Sequence, residues 1–393
     1  MDVETFRRLL TPTGQTLLTQ VSERAGVESD YALGSRLRRY HDPALVAAAV
    51  TQNHLRGLAV RKFGTDAARM YFTHDGLEQA TRGRVADYRA QRLRALGATT
   101  VVDLGCGIGA DLVAFARAGM SVRGVDIDPV RAQIAQANLE ALGLSGTVEA
   151  GDATKADVAD DEVVFCDPAR RSARGRIFRL NGLVPSWDFV TEQLSGRGLA
   201  KVMPGVAHDD IPEGVRAEWI SDGGDLVECC LWGKGLAPVS SSTGDGLLRA
   251  TLLPSGETMT GSGVIPDDGP VGRFLYEPDD AVIRAGLVAD LAEQIGGWLP
   301  DKQIAWISTD EQVATPFAHG FTVVDEIPFR TKQMRVALQE RDIGPLTIKK
   351  RGVQQSPEDV IAKLKLTGSQ AATVVLTRVQ GSGKAFLVEP HAR

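Results

Sequence analysis

The segment Val101-Val102-Asp103-Leu104-Gly105-Cys106-Gly107-Ile108-Gly109 decides the fold. It opens as a β-branched run, TTVVDL, passes through three glycines at alternate positions, and enters the helix-forming stretch ADLVAFARAG. Glycine lets the main chain turn sharply and approach a ligand closely, because any Cβ would collide with it. Amide groups at the following helix start then face that ligand. The pattern alone has more than one reading: Gly105-x-Gly107-x-x-Ala110 also satisfies the fingerprint of a dinucleotide-binding loop.

Outward from the glycines the chain alternates strand and helix. SVRGVD is a strand, and DPVRAQIAQANLEALG is a helix with Asp128 as N-cap, Pro129 as first residue and Gly143 as stop. A strand near Thr147–Ala150 and the apolar strand EVVFCD follow. Such alternation predicts an α/β fold, a doubly wound and mostly parallel sheet with helices on both faces. AKVMP, AEWIS and DLVECCLW continue the strands, and the last two, with no good helix between them, predict an antiparallel pair at one edge.

Four acids stand at the ends of four successive strands: Asp103, Asp126, Asp152 and Asp167. In doubly wound sheets those ends line the crevice where ligands bind. Asp103 suits the ammonium end of an amino-acid ligand, whereas a pyrophosphate would gain nothing from an acid there. Asp126 is placed to accept hydrogen bonds from two ribose hydroxyls, and Asp152 to read an adenine amine. Asp128 reads as a helix cap and Asp111 as solvent-facing. An ordinary parallel sheet with turn glycines and capping acids is the plain alternative.

In order and spacing, DLGCGIG, GVDID, GDA and FCDP resemble the class I S-adenosylmethionine-dependent methyltransferases over residues 99–232. The resemblance implies a Rossmann-like sheet and S-adenosylmethionine as cofactor. It implies cofactor contacts at Asp103, Gly105, Cys106, Gly107, Gly109, Asp126, Ile127, Asp152, Ala153 and Asp167. Upstream, Tyr71-Phe72-Thr73 resembles the segment that covers the methionine part of the cofactor in RNA and base methyltransferases, which adds Phe72 and Thr73. A plain core role is the other reading of Phe72.

Asp167-Pro168-Ala169-Arg170 resembles the Asp/Asn-Pro-Pro-aromatic motif of enzymes that methylate amino groups of nucleobases. Asp167 and Pro168 are therefore the catalytic candidates, with Asp167 touching the nucleophile. Ala169 and Arg170 depart from the motif, so stacking on a base falls to the Arg170 guanidinium or is lost. Arg170, Arg171, Arg174, Arg176 and Arg179 follow closely. Arginine forks match phosphate geometry, which makes Arg170, Arg171 and Arg174 substrate candidates. A solvated loop paired with nearby acids is the alternative. A sulfonium methyl is already electrophilic, so positioning can supply about 7–11 kcal/mol. A base is needed only if a proton must leave early. The chemistry requires no metal, and the sequence shows no metal-ligand pattern.

At 393 residues the chain is expected to form two to three domains. Its 43% apolar and 24% charged residues are those of a soluble globular protein. MDVETFRRLL lacks the basic start and apolar run of a signal peptide, and no stretch reaches the roughly 18–20 apolar residues of a membrane span. Cys106, Cys166, Cys229 and Cys230 form no CxxC pair and read as buried free thiols in a reducing cytoplasm. No residue pattern specifies an oligomeric state.

Residues 1–95 read as a helical region with 15 Lys+Arg against 10 Asp+Glu. Residues 96–235 form the cofactor domain and 236–329 a linker and α/β connecting region, 17 basic against 35 acidic residues in all. Residues 330–393 form a small α/β module with 12 basic and 5 acidic residues. The whole arrangement resembles a group of bacterial methyltransferases with a THUMP-like C-terminal domain. True THUMP domains bind RNA, so the resemblance implies a structured RNA, tRNA or rRNA, as partner, with Lys349, Lys350 and Arg351 among its contacts. A small metabolite or protein as methyl acceptor, and a binding protein without catalysis, remain the competing readings; a dehydrogenase comes last.

Overall fold

Polar caps divide the N-terminal region of the chain into short helices. In the computed structural model, which describes residues 1–170, 180–236 and 247–392, the side chains of Asp2, Thr11, Ser29 and Asp42 cap α1 (Val3–Leu10), α2 (Pro12–Arg24), α3 (Asp30–Leu37) and α4 (Pro43–Phe63). Each cap satisfies an amide that a first helical turn leaves open. Next come α5 (His74–Gln79) and α6 (Gly83–Ala95). The alternating stretch follows: β1 (Thr100–Leu104), α7 (Ala110–Arg117), β2 (Ser121–Asp126), α8 (Pro129–Ala141), β3 (Thr147–Ala150) and β4 (Val163–Cys166). Beyond it lie β5 (Ala169–Arg170), β6 (Leu183–Val184), α9 (Trp187–Ser195) and β7 (Gly198–Val202).

The chain divides into two units. The first comprises residues 1–202, 206–215 and 230–240, the second residues 203–205, 216–229 and 241–393. In the first, the strands lie side by side in the order β7-β4-β1-β2-β3, and every adjacent pair is parallel. Val163–Cys166 is buried throughout, as expected of a strand covered on both faces. The register sets Asp103 of β1 level with Gly124 of β2 and Phe165 of β4. The acids therefore emerge together at the carboxyl ends.

Residues 1–95 share a core with the sheet's own helices: Phe6, Leu17, Val46 and Phe72 pack in one apolar cluster with Ile108 and Ile134. The helical region expected over 1–95 belongs by contact to the unit that carries the sheet.

The second unit contains β8 (Arg216–Asp222), the Asp225–Cys229 part of β9 (Asp225–Trp232), β10 (Leu248–Leu253) and β11 (Glu257–Thr260). Gly223 and Gly224, both at positive φ, form the two-residue turn that reverses the chain between β8 and β9. The expected edge position of that pair is corrected. β10, mostly buried, runs parallel to β8, and β11 closes antiparallel on β10.

The remaining elements are β12 (Phe274–Pro278), α10 (Asp280–Arg284), α11 (Val288–Gln294), β13 (Ile307–Thr309), β14 (Ala318–Ile327), α12 (Thr331–Gln339), β15 (Ile343–Lys350), α13 (Pro357–Leu364), β16 (Gln370–Val379) and β17 (Ser382–Pro390). Their strands form a six-stranded sheet in the order β13-β12-β14-β17-β16-β15. Alternation along β16 sends Val374 and Leu376 to the face covered by Met334, Leu338 and Leu364, and Val375 to the face shared with Trp306 and Phe321. The expected boundary at residue 330 would sever β14 from β17, which pair from Phe321–Pro390 to Ile327–Ala385. The sheet reaches back to Phe274 because β14 is held on its other side by β12.

Candidate active site

Three backbone turns shape the glycine loop. Gly105, Gly107 and Gly109 have φ of 99°, 57° and 81°, the left-handed region open to glycine. The amides of Gly105 and Cys106 both donate to the Val125 carbonyl, which ties the loop to the end of β2. A Cβ on Gly107 would point into open space, so that glycine leaves bare backbone at the surface of the crevice. One on Gly109 would stand 3.0 Å from the Ala135 Cβ, so this glycine, expected to touch the cofactor, serves the packing of α7 on α8. Gly109 is the N-cap of α7, and no side chain caps that helix.

The four strand-end acids have different surroundings. Asp103 is 1% exposed, and its Oδ1 has no hydrogen-bond partner. Burial pushes its carboxyl well up from the ordinary value, reinforced by Asp111, Asp167 and Asp126 and opposed by Lys201. Asp126 is also buried, but its oxygens are in use. Oδ2 accepts from the Gly107 amide at 2.9 Å; Oδ1 accepts from the Asp128 amide at 2.8 Å and from Arg131 Nε at 3.1 Å. Asp152 is half-exposed and accepts from the Thr154 amide and hydroxyl, which lowers its pKa. Ala153 opens the short turn that follows. Ile127, between Asp126 and Asp128, is 69% exposed. Asp128 caps α8 through Val130 and Arg131, as its sequence setting suggests.

Tyr71-Phe72-Thr73 does run beside the glycine loop, held by amide side chains on both sides. Asn138 accepts from the Tyr71 amide and donates to the carbonyls of Tyr71 and Ile108; Gln52 exchanges two hydrogen bonds with the Phe72 backbone. This corrects the expectation for Phe72: its ring is 0% exposed in the helical core against Phe63, and its backbone groups are spent on Gln52. Thr73 caps α5 and is partly exposed.

Asp167 stands just past β4, followed by Pro168, both partly exposed. Lys201 of β7 forms an ion pair with Asp167 and also donates to the Thr81 hydroxyl at 3.1 Å. Thr81 donates to Asp111 Oδ2 at 2.7 Å, and the other oxygen of Asp111 is held by Arg89. Arg89 is 0% exposed, lies 5.1 Å from the Phe165 ring and donates to Cys230 Sγ at 3.2 Å. Asp111, expected in solvent, is therefore corrected to a 6% exposed member of a buried ion pair. Sequence reading missed Lys201, Arg89, Thr81 and Arg131. Arg89 alone left a faint signal, as an arginine on the apolar face of α6 beside Val85, Ala86, Ala90 and Leu93.

All four cysteines are buried, and burial raises the Cys106 and Cys166 thiols. Arg171 and Arg174 lie outside the described residues, as do Arg176 and Arg179; the Arg170 backbone pairs with Leu183 in the β5–β6 ladder. In the second unit, Lys349 forms an ion pair with Glu277 at 2.9 Å, and Arg351 reaches Glu277 and Asp280. Lys350 is exposed, and its ammonium lies 3.5 Å from the Val353 carbonyl. Of the three cations read as RNA contacts, Lys349 and Arg351 thus face acids from β12 and α10. Among the described residues there is no cluster of three or more metal-ligating side chains, and no helix is long and apolar enough to cross a membrane.

Comparison with known proteins rests on this geometry. An uncharacterized S-adenosylmethionine-dependent methyltransferase of Mycobacterium tuberculosis, found in two strains, is 37% identical over 321 residues, covering 79% of this chain and 85% of the relative. The chain belongs to the S-adenosylmethionine-dependent methyltransferases. A family model described as a methyltransferase domain matches residues 101–167, the glycine loop and the four acids. One described as THUMP domain-like matches residues 318–390, and a domain of unknown function, DUF8688, matches residues 2–59. A crystal structure of a candidate methyltransferase from Porphyromonas gingivalis shares the fold, with a TM-score of 0.76 at 20% identity over 96% of this chain and 98% of that one. S-Adenosylmethionine is thus the cofactor of this methyltransferase. The buried, partnerless Asp103 Oδ1 fits it, because an oxygen in that state can accept from an amino-acid ammonium.

Proposed function

We propose that the first unit of this methyltransferase holds S-adenosylmethionine along the ends of β1 to β4, and that its methyl acceptor is a structured RNA, tRNA or rRNA. The observation that carries the binding mode is the Asp103 carboxylate oxygen, buried and without a partner at the end of β1. Asp103 takes the ammonium end of the amino-acid moiety. Asp126 holds the glycine loop by accepting from the Gly107 amide at Oδ2, and a ribose hydroxyl would share that carboxylate as a further donor. Ile127 lays its exposed apolar side chain along the adenine, and Asp152 with Ala153 meets the adenine edge. Thr73 borders the methionine end. When bound, the cofactor supplies a methyl group on a positively charged sulfur. The protein's task is then to orient the acceptor, and Asp167 with Pro168 stands where an acceptor N–H or O–H can be held.

The RNA reading is supported by the THUMP domain-like match over residues 318–390 and by the 12 basic against 5 acidic residues of 330–393. A second reading, methyl transfer to a small metabolite or a protein, is favoured by one observation: Lys349 and Arg351 are spent on Glu277 and Asp280. The test is transfer of a tritiated methyl group from S-adenosylmethionine to separate tRNA, rRNA, protein and small-molecule fractions. Label in an RNA fraction is the expected result, with binding that weakens steeply as salt rises because phosphate contacts release counterions. Label confined to the protein or small-molecule fraction overturns the RNA reading.

A further inference from the structure

Beneath the strand ends lies a charged network that the cofactor does not need. It starts at Asp167, whose side chain is 33% exposed, and runs inward through Lys201, 15% exposed, to Thr81, Asp111 and Arg89. Five elements of the first unit contribute: β4, β7, the α5–α6 connection, α7 and α6. Each member is held by the next, and the far end is anchored on Cys230. Charges are costly to remove from water, and a buried ion pair holds only when its geometry and further hydrogen bonds offset that cost. Fully satisfied polar networks fix side-chain geometry, and here the geometry fixed is that of one partly exposed carboxylate at the mouth of the site.

We propose that Lys201 is a positioning residue for methyl transfer: it keeps Asp167 charged and turned toward the opening, so that Asp167 meets the acceptor as a hydrogen-bond-accepting carboxylate and not as a protonated acid. The inference rests on the reading that Asp167 touches the acceptor. Asp167 needs such a partner. Burial raises its pKa and Asp111 pushes the same way, while Lys201 chiefly, and Arg89 more weakly, oppose them. Asp103, on the adjacent strand, faces the same cluster. Lys201 is faced in turn by Lys62 from α4, whose own charge is disfavoured by burial and by Lys201. Thr81 shares the ammonium with Asp167, which fixes where Lys201 points.

The test is the titration of the Asp167 carboxyl, read by carbon-13 NMR of aspartate-labelled protein saturated with S-adenosylhomocysteine and assigned through Asp167→Asn. Calorimetry with S-adenosylhomocysteine checks each variant's cofactor site. In Lys201→Met the midpoint is expected to move up by about 1–3 pH units, the effect of losing an opposite charge at contact distance. In Lys201→Arg it is expected to return to the original value. A purely structural lysine would change the thermal midpoint and leave the titration where it was. If Lys201→Met does not fold, Thr81→Val serves instead, with a smaller upward shift expected. An unmoved Asp167 midpoint, with S-adenosylhomocysteine still bound, overturns the proposal and leaves the cofactor site standing. Failure of the unaltered protein to bind S-adenosylhomocysteine overturns the site reading itself.

Discussion

Replacing Asp103 with asparagine should make the free protein more stable and the cofactor-loaded protein less so. The side chain is 1% exposed, and Oδ1 has no donor. Asp111, Asp126 and Asp167 all press against its ionisation. A carboxyl whose folded pKa is raised binds its proton more tightly in the folded state. Its contribution to stability is therefore complete below the unfolded pKa of about 3.9 and is lost as pH rises through the folded value. At neutral pH the free protein carries that loss; asparagine, isosteric and uncharged, removes it. The ligand side has the opposite sign. A hydrogen bond to a charged group is worth about 1.5–3 kcal/mol, so losing the carboxylate–ammonium contact weakens binding by roughly 10- to 150-fold. Thermal melts without ligand at pH 5 and pH 8, and calorimetry with S-adenosylhomocysteine, measure both effects. The variant should melt higher, with the gain larger at pH 8, and bind S-adenosylhomocysteine at least tenfold more weakly. Unchanged affinity would refute the assignment of Asp103 to the ammonium group, and a lower melting point at pH 8 would refute its raised pKa.

Gly107→Ala and Gly109→Ala should separate binding from folding. Both force alanine to a positive φ, at roughly 1–2 kcal/mol, but only the Gly109 Cβ meets Ala135, so Gly109→Ala should unfold at lower denaturant while Gly107→Ala mainly loses S-adenosylhomocysteine affinity. Arg89→Met leaves Asp111 charged and buried and should cost about 3–5 kcal/mol in urea unfolding; Arg89→Met combined with Asp111→Leu should recover most of it, and a double variant as unstable as the single one would contradict the pairing. Glu277→Gln combined with Asp280→Asn removes the acids facing Lys349 and Arg351, so total tRNA should be retained more tightly at low salt in filter binding; unchanged retention would detach those two cations from RNA contact.

What could be read from sequence follows from how local each signal is. β1, the glycine loop and the cap at Asp128 are set by neighbours a few residues away, so the alternation and the four strand-end acids were legible. The position of β10 was not, because a pairing between Leu248–Leu253 and Ala217–Asp222 leaves no periodic mark in either segment. The extent of the second sheet was hidden for the same reason: β12 joins β14 across some forty residues. At the site, Asp111 looked like an ordinary first-turn helix acid because its partner Arg89 is 22 residues upstream on another helix. Lys201 sits in an apolar strand with nothing local to mark it, and Asp167, its partner, is 34 positions away.

The contrast between Asp126 and Asp103 shows how one residue type divides the work of the site. Both end adjacent parallel strands, and both are buried. Asp126 holds two backbone amides and a guanidinium, and every one of those donors belongs to the protein, so it shapes the glycine loop before any ligand arrives. Asp103 Oδ1 is left with no donor of any kind, although backbone amides of the glycine loop lie a few residues away. Burying a polar oxygen without a partner costs about 1–3 kcal/mol, a cost that a stable fold carries where function requires it. The same vacancy gives the site its preference. A neutral donor would give that oxygen a weaker hydrogen bond than a cation would, and an anionic ligand would add repulsion from Asp103, Asp111 and Asp167. An ammonium makes the stronger, charge-assisted bond there, so the free protein already favours a cationic headgroup at Asp103.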